Sequence, residues 1–244
     1  MRTTDCRTNV QRVLLAGACV GLGTYAAYAL TTWARYGHPR PRRHADPEDP
    51  ELDRLMPRYD VVERHHIEVQ APAAVTFGAA CEMDMSATPI ARAIFKAREL
   101  VMGSQQGERR VSTGFVDDMR ALGWGVLAEE PGRELIMGGV TKPWEPNPVF
   151  RAIPADAFAS FDEPDLVKIA FTLRVDPLDE QRSIFRTETR AVATDAAARR
   201  RFRAYWSLLS PGIVMIRWAM LRPLKLEAER RVRQHQGEPA AAPA

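Results

Sequence analysis

The sequence predicts an α+β domain: a curved antiparallel sheet packed on one long C-terminal helix, preceded by a single N-terminal membrane helix. Three observations carry this. Residues 13–33 hold no charged side chain. Polar–apolar alternation recurs in several short segments of the middle of the chain, the period of half-buried strands. The last of these, Ser183-Ile184-Phe185-Arg186-Thr187-Glu188-Thr189-Arg190-Ala191-Val192, leads straight into an apolar stripe of helical spacing that continues to about Arg231.

The uncharged run of 21 residues, Val13 to Trp33, would span about 31 Å as a helix, close to the roughly 30 Å hydrocarbon core of a bilayer. Arg12 and Arg35 bracket it, and Tyr25, Tyr28 and Trp33 sit where aromatic rings favour an interface. Residues 1–35 therefore read as a tail and membrane anchor. A cleaved signal peptide, cut after Ala27-Tyr28-Ala29, is the main rival; a lipoprotein at Cys19 is the weaker one, since Leu15 stands four residues before the cysteine. Gly17 and Gly21 have the spacing of a close helix pair, which makes a weak dimer an open reading. Arg40-Pro41-Arg42-Arg43 favours a cytoplasmic main domain. Charge agrees with this partition. Residues 1–43 carry seven arginines against Asp5, while the whole chain is only +3, so the remainder is net acidic and implies no nucleic-acid surface.

Residues 36–58 contain five prolines and little apolar periodicity, the composition of a semi-extended linker. The folded domain is expected over 59–232. Residues 59–70 form a strand with His65, Ile67 and Val69 on one face. Helices follow at 73–83 and 89–102, the second with Pro89 in its first turn and Gly103 at its stop. Strands at 123–129 and 133–140 flank Glu130-Pro131-Gly132-Arg133, a type II turn signal. A Pro-rich loop with Trp144 precedes a short strand at 150–153. The strand at 166–175 places Ile169, Phe171, Leu173 and Val175 on one face, and the strand at 182–192 places Phe185, Thr187, Thr189 and Ala191 on the same interior. Thr194 or Asp195 caps the last helix. Ala198, Phe202, Tyr205, Trp206, Leu209, Ile213, Ile216, Met220 and Leu224 form its stripe, with a kink or short break expected at Pro211-Gly212 and another bend at Pro223. Residues 233–244 read as a disordered tail.

Three segments carry a resemblance to a known superfamily. They are Arg64-His65-His66-Ile67-Glu68-Val69-Gln70-Ala71-Pro72 with the Ala73–Phe77 run, Leu135 to Trp144, and Thr187 to Asp195 with Phe202-Arg203-Ala204-Tyr205-Trp206. Together they resemble the START/polyketide-cyclase (SRPBCC) group, whose fold is the helix grip, over nearly all of 59–232. That resemblance implies a cavity between sheet and C-terminal helix that takes an apolar small molecule or lipid; fold alone does not set activity. The candidate ligand-contacting residues are Trp124, Val126, Phe171, Leu173, Phe185, Thr187, Trp206, Leu209 and Ile213. Each of them singly also fits a solid core. Thr187 and Thr189 are candidate polar hooks in an apolar site.

Catalysis has no ready motif, so no catalytic residue is assigned, and no cofactor is called for. A cyclase or dehydratase would need polar groups converging in the cavity, with His65, Thr187 and Thr189 the first to inspect. A non-catalytic interaction module is the third class. His65 and His66 point to opposite faces of a strand, and no HxxxH or CxxC spacing accompanies them, so no metal site is expected. Gly138-Gly139 lacks the ending of a phosphate loop. Of Cys6, Cys19 and Cys81, only Cys81 falls in the folded part, and it reads as a buried thiol rather than a nucleophile.

Overall fold

A computed structural model describes residues 21, 23–39, 41–42, 47–84, 88–103, 112–235 and 237. Its centre is a five-stranded antiparallel sheet of order β1-β5-β4-β3-β2, built from β1 (Val61–Val69), β2 (Gly125–Glu130), β3 (Glu134–Thr141), β4 (Val167–Pro177) and β5 (Ser183–Ala193). Chain-distant β1 and β5 pair with His65 opposite Thr187 and Glu63 opposite Thr189. The β2–β3 hairpin turns at Glu130–Arg133, where Gly132 takes φ +75° and the Arg133 N–H donates to the Glu130 carbonyl at 3.0 Å. This is the type II geometry that the Pro-Gly pair predicts. At 150–153 there is no full strand, only a bridge from Arg151 to Val140.

Helices α3 (Ala73–Cys81), α4 (Pro89–Met102) and α7 (Ala196–His235) follow the sequence pattern. Thr88 caps α4 by accepting from the Ala91 N–H, Pro89 stands in the first turn, and Gly103 closes the helix in the left-handed region at φ +67°. Asp195 accepts from the Ala197 and Ala198 N–H groups at 2.6 and 2.8 Å, fixing the start of α7. That helix runs 40 residues without a break through Pro211 and Pro223. Of the kink or short break expected at Pro211-Gly212, the break is therefore not present. It also reaches His235, into the stretch expected as a disordered tail; most of the rest of that tail lies outside the described residues.

Apolar side chains cover both faces of the middle strands. On the concave face, Leu135, Met137, Phe171, Leu173, Val175 and Phe185 pack with Phe77 of α3 and Leu221, Leu224 and Ala228 of α7. On the convex face, Leu127, Ile136, Val140 and Ala170 pack under Leu52, Leu55 and Met56 and under Phe158 of α6 (Ala155–Phe158). An added Cβ at Gly138 would lie 2.9 Å from the Phe158 ring, so the small residue is what lets α6 seat there.

That second layer corrects the reading of residues 36–58 as a linker. Pro50–Leu55 forms helix α2, capped by Asp49, whose carboxylate accepts from the Leu52 N–H. Arg190 of β5 is completely buried and donates to the Met56 carbonyl at 2.8 Å, to Asp53 at 2.6 Å and to Glu188 at 2.7 Å. A cation at the C-terminus of α2 meets the free carbonyls and the negative end of the helix dipole. Lys168 of β4 does the same for α6, donating to the Phe158 and Ala159 carbonyls at 2.8 and 2.9 Å.

The other end of the expected linker is also fixed. The buried Tyr36 ring packs edge-on against Phe202, and its hydroxyl donates to Asp60, which also pairs with Arg199 at 2.9 Å. Upstream, residues 23–35 form helix α1 beside α7. Tyr25 donates to the Leu208 carbonyl, Tyr28 meets Ser210 at 3.2 Å, and Arg203 stacks over Trp33. Among the described residues no helix is long and apolar enough to cross a membrane. Most of residues 13–22, with Gly17, lies outside the described residues; Gly21 is exposed with open space around it.

Replacing Arg190 by Ala leaves the Met56 carbonyl at the end of α2 unpaired in the interior, while Glu188 keeps Arg64 and Asp53 keeps Arg42. The expected loss is about 1–3 kcal/mol, the cost of a buried acceptor left unsatisfied, read from the midpoint of urea unfolding.

Candidate ligand cavity

Between the concave face of the sheet and α7 lies a cavity of about 550 Å³. Its floor is Phe171, Leu173, Phe185 and Thr187, alternate residues of β4 and β5. Its roof is one stripe of α7: Ile213, Ile216, Arg217, Met220, Leu221 and Leu224. The side wall comes from Phe115 and Met119 of α5 (Phe115–Ala121), from Leu122 and Trp124 just after it, and from Phe150. Helix α5 was not foreseen. It is only 7 residues long, and Gly114 at its start offers no capping side chain.

One end of the cavity is an aromatic cluster. Trp124 stacks on Phe150 with centroids 4.6 Å apart and meets Phe171 edge-on at 5.1 Å; Phe115 meets Phe171 edge-on at 5.5 Å. The backbone that delivers Trp124 depends on Gly123, at φ +99°, where a Cβ would fall 2.2 Å from the Phe150 carbonyl oxygen. A left-handed residue with no side chain is required there.

Of the nine candidate contact residues, Trp124, Phe171, Leu173, Phe185, Thr187 and Ile213 line this cavity. Val126 packs against the core without lining it. Trp206 lies in a solid cluster with Tyr36, Val61, Val167, Ala191 and Phe202. Leu209 is half-buried and stands apart from the lining. The reason is the length of α7. Its first third is filled in by Tyr36, and only its middle spans the open part of the sheet.

The floor continues into a polar patch at the β1–β5 edge. His65 and Thr189 share the concave face with Thr187. The buried His65 Nε2 and Thr189 Oγ1 atoms have no hydrogen-bond partner among the described residues. Burial, then the positive charge of Arg217, hold His65 down to about 4, although Glu63 Oε2 lies 3.9 Å away. His66 points away and is exposed, so the two histidines do not converge. Arg217 is a lining residue that the sequence reading passed over. Its signal was available: it stands four residues after Ile213 and three before Met220, a charge on the apolar stripe.

The carboxylates of the lining are engaged elsewhere. Asp118 accepts from the Ser112 hydroxyl at 2.5 Å and from Thr113, holding the start of α5. Cys81 is half-buried, and burial pushes its thiol up to about 11, so it is no nucleophile at neutral pH. Among the described residues no group of histidine, cysteine and acidic side chains is placed to hold a metal ion.

A sheet of this order, gripped on its concave face by one long C-terminal helix, has a name. The fold is a helix grip. No family model matches the chain, and no curated protein does. Among solved structures it is similar to a hypothetical protein from Helicobacter pylori, at 8% identity and TM-score 0.37, covering 78% of this chain and 99% of that one. It is also similar to the Zhui aromatase/cyclase from Streptomyces sp. R1128, at 13% identity and TM-score 0.25, covering 71% and 96%. A third is the di-domain aromatase/cyclase BexL, at 14% identity and TM-score 0.28, where the chain spans 47% of that protein.

A histidine whose folded pKa lies below its unfolded value stabilises the fold above the unfolded pKa and loses that contribution as pH falls. The His65 ring should therefore stay neutral until about pH 4 in an NMR titration, with folding stability declining from about pH 6.5 downward.

Proposed function

We propose that the helix-grip domain binds a single apolar small molecule or lipid between its sheet and α7. The observation that carries this reading is the cavity itself: about 550 Å³ bounded by aromatic and aliphatic side chains, within the roughly 300–1,000 Å³ of small-molecule sites. A cavity with such walls gains by filling, because its lining side chains lack dispersion partners on one side. Few polar groups meet it, as expected of a site that recognises mainly by shape and apolar contact.

Membrane attachment belongs to the same reading. The uncharged run 13–33 would hold the domain beside a bilayer and raise its effective access to membrane-dissolved ligands. What supports it is sequence: the length of the run and its flanking arginines. The outward faces of α1 and α7 add exposed Leu30, Met215 and Trp218.

Native mass spectrometry of the full chain, extracted in mild detergent, should find one apolar molecule per protein. Leu173→Trp, which fills the floor, should lose it while keeping the native circular dichroism; a wild-type protein recovered empty would sink the proposal. For the tether, the full chain should resist alkaline carbonate extraction from membranes, and release into the wash would remove that part.

A further inference from the structure

Arg217 is the only charged residue that α7 contributes to the cavity lining. It makes no hydrogen bond and no ion pair to any described residue. That sets it apart from Arg190, which is completely buried and has carbonyl and carboxylate partners on every side of its guanidinium, whereas Arg217 is half-buried. Withdrawing a cation from water without a partner is costly in proportion to its burial. Burial lowers the Arg217 pKa to about 10, with Glu63 the acid whose field opposes the shift. The group therefore stays charged at neutral pH and faces the cavity with its donors unspent.

Its surroundings point the same way. Thr187, on the floor, is 9% exposed and lines the cavity with it. The neighbouring positions in the sheet hold the two orphaned atoms, His65 Nε2 and Thr189 Oγ1. The charged and titratable groups at this end are thus Arg217 from α7 and Glu63 and His65 from β1, with His65 neutral. Across the sheet, toward α5 and β2, stand the rings of Phe115 and Trp124, with Phe171, the strand partner of Thr189, between the two sides. The cavity is polar and cationic on its β1 side and aromatic on its α5 side.

We propose that the ligand is an amphipathic carboxylic acid, its carboxylate paired with Arg217 and its apolar body lying toward the aromatic side. A guanidinium offers two parallel N–H donors that match the two oxygens of a carboxylate, and such a partner would satisfy the buried charge. This rests on the cavity being a ligand site.

The test is calorimetric titration of the full-length protein with dodecanoate and with 1-dodecanol, probes of equal chain length that differ in the head group. Dodecanoate should bind about tenfold more tightly or better, the range of a hydrogen bond to a charged group. Arg217→Met should erase that preference, the two probes then binding alike, and Arg217→Lys should keep part of it. Equal affinity of the two probes for wild-type protein overturns the inference and leaves the cavity reading standing. Binding of neither overturns both. Loss of both probes together in Arg217→Met and Arg217→Lys assigns Arg217 a purely structural role and overturns the inference as well.

Discussion

Strands β3, β4 and β5 carry apolar side chains on both faces, so a sheet of five strands has to be covered twice. The rest of the architecture follows from how unequally the two covers fit. The convex face receives short pieces, α2 and α6, which follow its curvature and close on it without a large void. The concave face receives the 40-residue α7 with α3 beside it. The start of α7 packs solidly with Tyr36 and its later part with the core, and the cavity opens beneath its middle.

The two covers also handle charge differently. On the convex side, Arg190 and Lys168 are buried bases that spend their donors on helix C-terminal carbonyls and on carboxylates. Each joins a short helix to a strand, which short helices need because their own hydrogen bonds stabilise them little. On the concave side Arg217 has no such partner. Two arginines of one domain are thus placed differently: one is consumed by the fold, the other lines the cavity.

The strands, the Pro-Gly hairpin, both ends of α4 and the capped start of α7 were legible because each rests on local chemistry that a few neighbouring residues encode. The concave floor was legible too, since the alternation that marks β4 and β5 names Phe171, Leu173, Phe185 and Thr187 directly. The convex cover was not. Pro50 and Asp49 are a helix start in plain view, yet among five prolines the six-residue α2 is too short to show a period, and its apolar Leu52, Leu55 and Met56 are given meaning only by Arg190, well over a hundred residues away. Trp206 illustrates a different limit. It lies on the same stripe as Ile213, and only the position of Tyr36 decides that one is packed solid while the other faces the cavity. Membrane hydropathy likewise describes residues 13–33 by composition, whereas Tyr25, Tyr28 and Trp33 are also placed to dock on α7.

The pairing of β1 with β5 joins residues such as Arg64 and Glu188, 124 positions apart in the chain. During synthesis β1 therefore leaves the ribosome long before β5, its one sheet neighbour among the described residues, and the hairpin of β2 and β3 is made in between. No stable sheet can close until β5 is out, and the cavity acquires its roof only when α7 follows. Non-local pairing of this kind slows folding and leaves apolar strand faces uncovered in the interval. The protein is thus committed to a late, nearly all-at-once assembly, in which an apolar molecule present at the moment of closure has the easiest entry it will ever have.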